Sequence, residues 1–267
     1  MTNSPFSNEA IKERLFDSRN IEPLEYLIEQ EKAKMNVSEA ILFNDCAENY
    51  GEILPIELVR EKLFPEVKAE VDKILNVSRD SPVKIKYYGF LSGLFGRTIG
   101  AYAYHNRITG QMSFTKGRKK KLVLALAHEY THRVQQDMLD WFGGQLLREG
   151  MAMRVGYKVP ELFAVQKEDN IWRCFIVLQN KFFLERGYIA YCYITGKEIE
   201  NELAKKHTVF LNQIKNYMWN RGLSRQDIDL FFPHELGTAF FSLSELKHGS
   251  SVYARALRRD EGILELH

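Results

Sequence analysis

The sequence predicts an α+β protein that is mostly helical and carries one small antiparallel sheet. Two long regions, residues 8–76 and 161–267, repeat apolar residues at the spacing of an α-helix. Between them lie short segments in which apolar and polar residues alternate, as they do in strands. The strands are followed by Lys119–Met138, which has no glycine or proline and predicts one long helix.

The first region predicts four helices. Three of them are short segments with apolar residues on one helical face, at 10–16, 22–34 and 37–43. The fourth, 56–75, contains Pro65, which removes a backbone hydrogen bond and is expected to break or kink the helix. The polar cluster 78–82 indicates the turn that closes this region.

Three short strands follow, at 83–88, 98–104 and 111–114. The glycine-containing segments 93–96 and 105–110 are predicted as the turns between them. These strands are predicted to form a small antiparallel sheet directly before the long helix.

The last region is predicted to be mostly helical. Segment 171–185 is rich in large apolar residues and indicates a core helix, whereas 189–194 fits either a strand or a buried helix. Residues 198–219 predict an amphipathic helix, and Ser224 is a candidate cap for the next one. A final apolar helix is expected to begin near His234.

The sequence HEYTH, at residues 128–132, lies inside the predicted long helix. Residues four apart lie on one helical face, so His128 and His132 can point at one metal ion. Glu129 stands beside them, where it could accept a proton from a zinc-activated water. Burial of these side chains costs free energy unless they are paired, and zinc would pair them. Histidines that only make hydrogen bonds are the alternative.

A third metal ligand is expected downstream, because a catalytic zinc usually has three protein ligands and one position for water. Gly143 and Gly144 predict the end of the first helix, and a second helix, 145–155, carries Glu149. Two helices joined by a short turn run back beside each other, so Glu149 could reach the same ion. A solvated helix charge is the alternative interpretation of Glu149.

HEYTH followed by the segment Glu149-Gly150-Met151-Ala152 resembles the gluzincin class of zinc metallopeptidases. More narrowly, residues 97–157 resemble the YjaZ-like family of predicted zinc-dependent proteases. The resemblance implies a zincin-like core in which Glu129 is the general base and zinc is bound by His128, His132 and Glu149. The spacing to Glu149 is slightly shorter than in the best-known gluzincins, so the loop at Gly143–Gly144 must be tight.

In zincins the edge strand before the motif helix lies along the cleft and pairs with an extended peptide. The resemblance therefore implies a substrate-binding strand, for which the candidates are Gly100, Ala101 and Tyr102. Gly100 has no side chain to hinder the approach of another backbone. A hairpin that belongs only to the core is the alternative.

Sites of this kind also use a donor that stabilises the oxyanion. His234 is the first candidate, because it opens an apolar helix in the carboxyl-terminal region; the other candidates are Tyr157, Tyr188 and Tyr253. An ordinary capping or surface histidine is the alternative interpretation of His234. Each ligand imidazole also needs a hydrogen-bond acceptor that orients it, and the sequence assigns neither Asp137 nor Asp140 to this role.

The composition, with 45% hydrophobic and 27% charged residues and a net charge of +2, is that of a globular protein. The three cysteines are scattered and indicate neither a disulfide framework nor a cysteine zinc site, which fits a cytoplasmic protein. Neither a signal peptide, a membrane span nor a nucleic-acid-binding pattern is predicted. The basic run 116–121 is interpreted as a solvated surface.

We therefore expect a helical region at 1–80, a zincin-like catalytic core at 81–160 and a helical lobe at 161–267, together forming one compact unit. The predicted activity is hydrolysis of peptide or protein substrates with Zn²⁺ as the cofactor. Two alternatives stay open. The same constellation would activate water against other carbonyl compounds, and a non-catalytic binding protein could keep the same fold.

Overall fold

The structure is a computed structural model that describes residues 5–34, 54–78, 83–87, 103–106, 111–114, 119–138, 144–167, 169–221 and 232–266. Eleven α-helices are described in these ranges: α1 (Asn8–Leu15), α2 (Ile21–Ala33), α3 (Ile56–Leu58), α4 (Phe64–Leu75), α5 (Lys119–Met138), α6 (Gln145–Gln166), α7 (Asn170–Thr195), α8 (Asn201–Lys206), α9 (Thr208–Arg221), α10 (Pro233–His248) and α11 (Val252–Leu257). The strands are β1 (Lys84–Tyr87), β2 (Ala103–Asn106) and β3 (Gln111–Phe114). The prediction of a mostly helical protein with a small sheet is confirmed. Within the same ranges, no helix has both the length and the apolar character needed to cross a membrane.

The sheet is mixed, with the strand order β1-β3-β2. Strand β2 pairs antiparallel with β3, as predicted, but β1 pairs parallel with β3, so the prediction of a purely antiparallel sheet was wrong. The residues between β1 and β3 are numerous enough for the crossover that parallel neighbours require. Strand β2 also extends through His105 and Asn106, which were predicted as part of a turn.

The chain forms two compact units. The first, here the helical unit, comprises Met1–Met35, Trp141–Arg154 and Val177–His267. The second, here the sheet unit, comprises Asn36–Asp140 and Val155–Ile176. Helices α6 and α7 each begin in one unit and end in the other.

In the sheet unit, helix α5 packs against β2, β3 and α4. The buried face of β3 contributes Met112 and Phe114, both fully buried. A π-helical turn, Val59–Leu63, separates α3 from α4 immediately before Pro65, which confirms the predicted break. Proline cannot donate the backbone hydrogen bond of a regular α-helix at this point. In the π-helical turn, Nε of Arg60 donates a 2.7 Å hydrogen bond to the carbonyl of Ile85 in β1.

Helix α6 continues to Gln166, well beyond the predicted end at residue 155. Pro160 lies inside it, where a proline normally costs one backbone hydrogen bond. The side chains around it, Val159 and Phe163, are buried. Their burial in the core offsets the cost of the proline, which is why local sequence signals alone underestimated the helix length.

In the helical unit, α7 runs without a break through residues 189–194, so the helical interpretation of that segment is the correct one. The single helix predicted at 198–219 is instead divided into α8 and α9 at His207. The imidazole of His207 is buried, and its Nε2 donates a 2.7 Å hydrogen bond to Glu185 of α7. This tertiary hydrogen bond accounts for a break that local helical periodicity could not predict.

The buried Glu185 is the centre of a cluster of charges in the helical unit. Besides the hydrogen bond from His207, Nζ of Lys206 lies 3.0 Å and Nζ of Lys181 3.6 Å from its carboxylate oxygens. Burial by itself raises the pKa of Glu185, but the hydrogen bonds and the two positive charges outweigh it and hold the pKa below its usual value. Glu185 is therefore ionised at neutral pH in the folded protein.

We expect replacement of Glu185 by glutamine to destabilise the protein by about 3 kcal/mol at pH 7, because the buried Lys181 loses its counter-charge. Since the folded pKa of Glu185 is lowered, its contribution is fully present above the unfolded pKa of about 4.3. That contribution is lost as the pH falls through the folded pKa. Urea unfolding at pH 7 and near pH 3 should show the gap between wild type and variant narrowing at the lower pH, because the loss occurs below the unfolded pKa.

The exposed Glu202 on α8 provides the matched control, because Glu202→Gln removes the same charge from a solvated position. A gap of equal size at both pH values would contradict the assigned role of the Glu185 carboxylate.

Candidate metal centre

The two histidines of the motif lie one turn apart on α5, half-buried in the sheet unit. Their Nε2 atoms are 3.0 Å apart, and their rings are nearly perpendicular, at 88°. A tetrahedral zinc ion with bonds of 2.0–2.1 Å would hold two nitrogen ligands about 3.3 Å apart. The spacing between the two imidazoles therefore fits a shared zinc ion closely.

The residues between the histidines anchor the helix in the core. Tyr130 is almost fully buried, and its hydroxyl donates a 2.9 Å hydrogen bond to Oδ1 of Asp72 on α4. The hydroxyl of the fully buried Thr131 donates to the carbonyl of Ala127. Glu129, which directly follows His128, is 7% exposed. The motif thus combines two half-buried imidazoles, a buried carboxylate and two residues that fix the backbone.

Helix α6 approaches α5 closely at the first histidine. A Cβ atom added at Gly156 would lie only 3.4 Å from Cβ of His128 and 3.6 Å from the carbonyl oxygen of Leu124. These are ordinary van der Waals distances, so the two helices touch here without requiring glycine. Helix α6 therefore touches α5 at this point of the sheet unit.

Gln135 is a residue that the sequence interpretation missed. It is 1% exposed, and its Oε1 lies 2.9 Å from Nδ1 of His132. When Nδ1 carries the proton and donates to this oxygen, Nε2 keeps its lone pair for a metal. A residue three positions after His132 lies on the same helical face, so spacing alone could have identified it.

We expect Gln135→Met to weaken zinc binding by about 10- to 100-fold, because the variant keeps the side-chain length but removes the acceptor that orients His132. Competition with a chromophoric chelator would measure the affinity. Gln166→Met, at an exposed position on α6, is the control for the substitution itself. Unchanged affinity in Gln135→Met would show that the hydrogen bond does not contribute to binding.

Glu149 lies on α6 with its carboxylate held at both oxygens by neighbours within the helical unit. Nε and Nη2 of Arg148 donate to Oε1 at 3.3 and 3.0 Å. Nε2 of His234, near the start of α10, lies 3.2 Å from Oε2. The side chain of Glu149 is 11% exposed, whereas that of His234 is 42% exposed and therefore open to a ligand.

Two glycines bring Glu149 and His234 together. A Cβ atom added at Gly150 would lie 2.3 Å from the carbonyl carbon of Gly237, and one at Gly237 would lie 2.2 Å from the carbonyl oxygen of Leu146. Only glycine allows backbones to cross at such a distance. Glu149 adjoins the first glycine and His234 lies one turn before the second, so the crossing of α6 and α10 sets their distance.

Three described residues form a group that could hold a metal ion. His128, His132 and Glu149 each offer one ligand atom, and these atoms all lie within 4.8 Å of one another. Two imidazole nitrogens and one carboxylate oxygen form a donor set that zinc uses in hydrolytic enzymes. These residues could therefore hold a zinc ion, and His234 lies next to Glu149.

The other predicted site residues lie elsewhere or outside the described part of the chain. Gly100, Ala101 and Tyr102 are outside the described residues, and so is Asp140. The hydroxyl of Tyr188 donates a hydrogen bond to Glu25, and that of Tyr253 donates one to Glu245. Burial raises the pKa of both tyrosine hydroxyls, and the neighbouring carboxylates raise it further. Tyr157 is buried on α6.

No protein-family model, curated protein or solved structure matches this chain. The resemblance to the zinc metallopeptidases therefore depends on the HEYTH motif and the Glu149 segment alone, and the family remains a prediction.

Proposed function

We propose that this protein is a zinc-dependent peptidase. The observation that supports the proposal is the convergence of His128, His132 and Glu149, whose ligand atoms lie within 4.8 Å of one another. Glu129 is buried directly beside the first of them. Two imidazoles and a carboxylate can also bind iron, but a carboxylate next to the first histidine is what hydrolysis by a zinc-activated water requires.

When bound, zinc would act as a Lewis acid and lower the pKa of a water ligand to about 7. Glu129 accepts the proton of the attacking water and later returns it to the departing amine. Gln135 keeps the His132 imidazole in the tautomer that can bind metal. His234 is exposed beside Glu149, which favours a role in donating a hydrogen bond to the oxyanion.

We propose a peptide or protein as the substrate and the cytoplasm as the place of the reaction. Cys174 and Cys192 are free, buried thiols, a state that a reducing compartment maintains. Turnover of a peptide library, compared with turnover of ester and small amide substrates, distinguishes a peptidase from a hydrolase of another bond. Stoichiometric zinc without turnover of any of these substrates would favour a binding protein.

The test of the metal site is metal analysis of the purified protein, with one zinc per chain as the expected result. We expect Glu149→Ala to lower zinc affinity by at least about 100-fold, because a three-ligand site loses its only carboxylate. Glu161→Ala, a substitution farther along the same helix, serves as the control. A zinc affinity that is unchanged in Glu149→Ala would remove Glu149 from the site.

A further inference from the structure

We propose that Arg148 is a positioning residue for the third metal ligand, Glu149. This inference depends on the proposed zinc site and adds a residue to it that neither the motif nor its spacing indicates. It starts from the two hydrogen bonds, of 3.3 and 3.0 Å, that the guanidinium group donates to Oε1 of Glu149.

Contact between these two side chains does not follow from their being neighbours in sequence. Residues i and i+1 of a helix point in directions about 100° apart and do not face each other. The side chain of Arg148 therefore has to turn towards Glu149. It does so at a partly buried position, where its side chain is 25% exposed and that of Glu149 is 11% exposed.

The geometry of the contact restricts the carboxylate. A guanidinium group is planar and donates in fixed directions, so two hydrogen bonds to one oxygen limit rotation about the last side-chain bond. With Arg148 at Oε1 and Nε2 of His234 at 3.2 Å from Oε2, the plane of the carboxylate is defined from both sides. The positive charge of Arg148 also compensates a carboxylate that would be costly to bury alone.

The inference has a direct consequence for metal binding. A ligand that is already oriented loses less side-chain freedom when the ion binds, so the affinity is higher than for a mobile carboxylate. Arg148 acts through Glu149 and is not itself a ligand. Removing it should therefore weaken binding without changing which atoms coordinate the ion.

The test uses the full-length chain and the variants Arg148→Lys and Arg148→Gln. We expect Arg148→Gln to bind zinc about 10- to 100-fold more weakly than wild type. Arg148→Lys should fall between the two, because it keeps the charge but not the paired hydrogen bonds. Chelator competition gives the affinities, and the visible absorption of the Co²⁺-substituted proteins reports whether the ligand geometry has changed.

Arg173→Lys, at an exposed position on α7, is the matched control. Thermal unfolding of the metal-free Arg148→Lys protein separates a positioning role from a structural one, because lysine keeps the positive charge beside Glu149. A positioning role predicts weaker zinc binding by this variant with a nearly unchanged unfolding temperature. If Arg148→Gln does not fold, Arg148→Lys still decides the question by its affinity and its Co²⁺ spectrum.

Zinc affinities equal to or higher than that of wild type in both Arg148 variants would overturn the inference. A higher affinity would mean that Arg148 competes with the ion for Glu149. Such results would leave the proposed zinc site intact. A wild-type protein that binds no zinc would instead overturn both proposals.

Discussion

Glu129→Gln is expected to retain zinc and to hydrolyse peptides about 10²- to 10⁴-fold more slowly than wild type. Glutamine has nearly the same shape as glutamate, and position 129 is buried next to His128, so the fold and the proposed metal site should tolerate the change. What glutamine lacks is the basic oxygen that accepts a proton from the attacking water. The loss should therefore appear in kcat rather than in the metal content.

The measurement pairs steady-state hydrolysis of a peptide from the library with metal analysis of the same preparation. Glu66→Gln, an exposed position on α4 of the same unit, controls for the loss of one carboxylate. Hydrolysis at the wild-type rate in a zinc-loaded Glu129→Gln variant would exclude Glu129 as the general base.

The second large effect is expected at the helix crossing of the helical unit. Gly237→Ala should destabilise the protein by about 2–3 kcal/mol, which for a chain of this size lowers the midpoint of thermal unfolding by about 5–10 °C. The added Cβ would lie 2.2 Å from the carbonyl oxygen of Leu146 and 2.6 Å from Cα of Gly150. These are backbone atoms, so no side-chain rotation relieves the overlap and the helices must separate.

The penalty outweighs the gain of up to about 1 kcal/mol that alanine brings to a helix in place of glycine. Gly156→Ala provides the comparison, since its nearest contact would be an ordinary 3.4 Å and its stability should change by no more than about 1 kcal/mol. Equal unfolding temperatures for the two variants would contradict the close crossing. Separation of α6 from α10 should also move Glu149 away from His234, and weaker zinc binding by Gly237→Ala would reveal that movement.

The local geometry of the site was predictable because helical geometry is local. The spacing of His128 and His132 fixes both imidazoles on one face of α5, and the glycine turn predicted a second helix that carries Glu149. Gln135 followed the same spacing rule and could have been found. The direction of β1 relative to β3 could not be predicted in this way. The alternation of apolar residues defines the two faces of a strand but not the orientation of its partner.

The features that were not predicted depend on residues far apart in the chain. The need for glycine at positions 150 and 237 becomes clear only from the crossing of α6 and α10. Nothing around Gly237 in the sequence indicates such a crossing. The break at His207 similarly depends on Glu185, which lies on another helix. Tertiary contacts of this kind override local propensity, and a single sequence does not report them.

Tyr130, the buried tyrosine of HEYTH, limits how the motif can be grafted onto another protein. Its hydroxyl is bonded to Asp72, which lies 58 positions earlier in the chain. A designer who grafts HEYTH onto another scaffold would bury a hydroxyl that has lost its acceptor, at a cost of about 1–3 kcal/mol. A useful graft would therefore include an aspartate that accepts this hydrogen bond or carry phenylalanine in place of the tyrosine. The five residues of HEYTH are not sufficient by themselves.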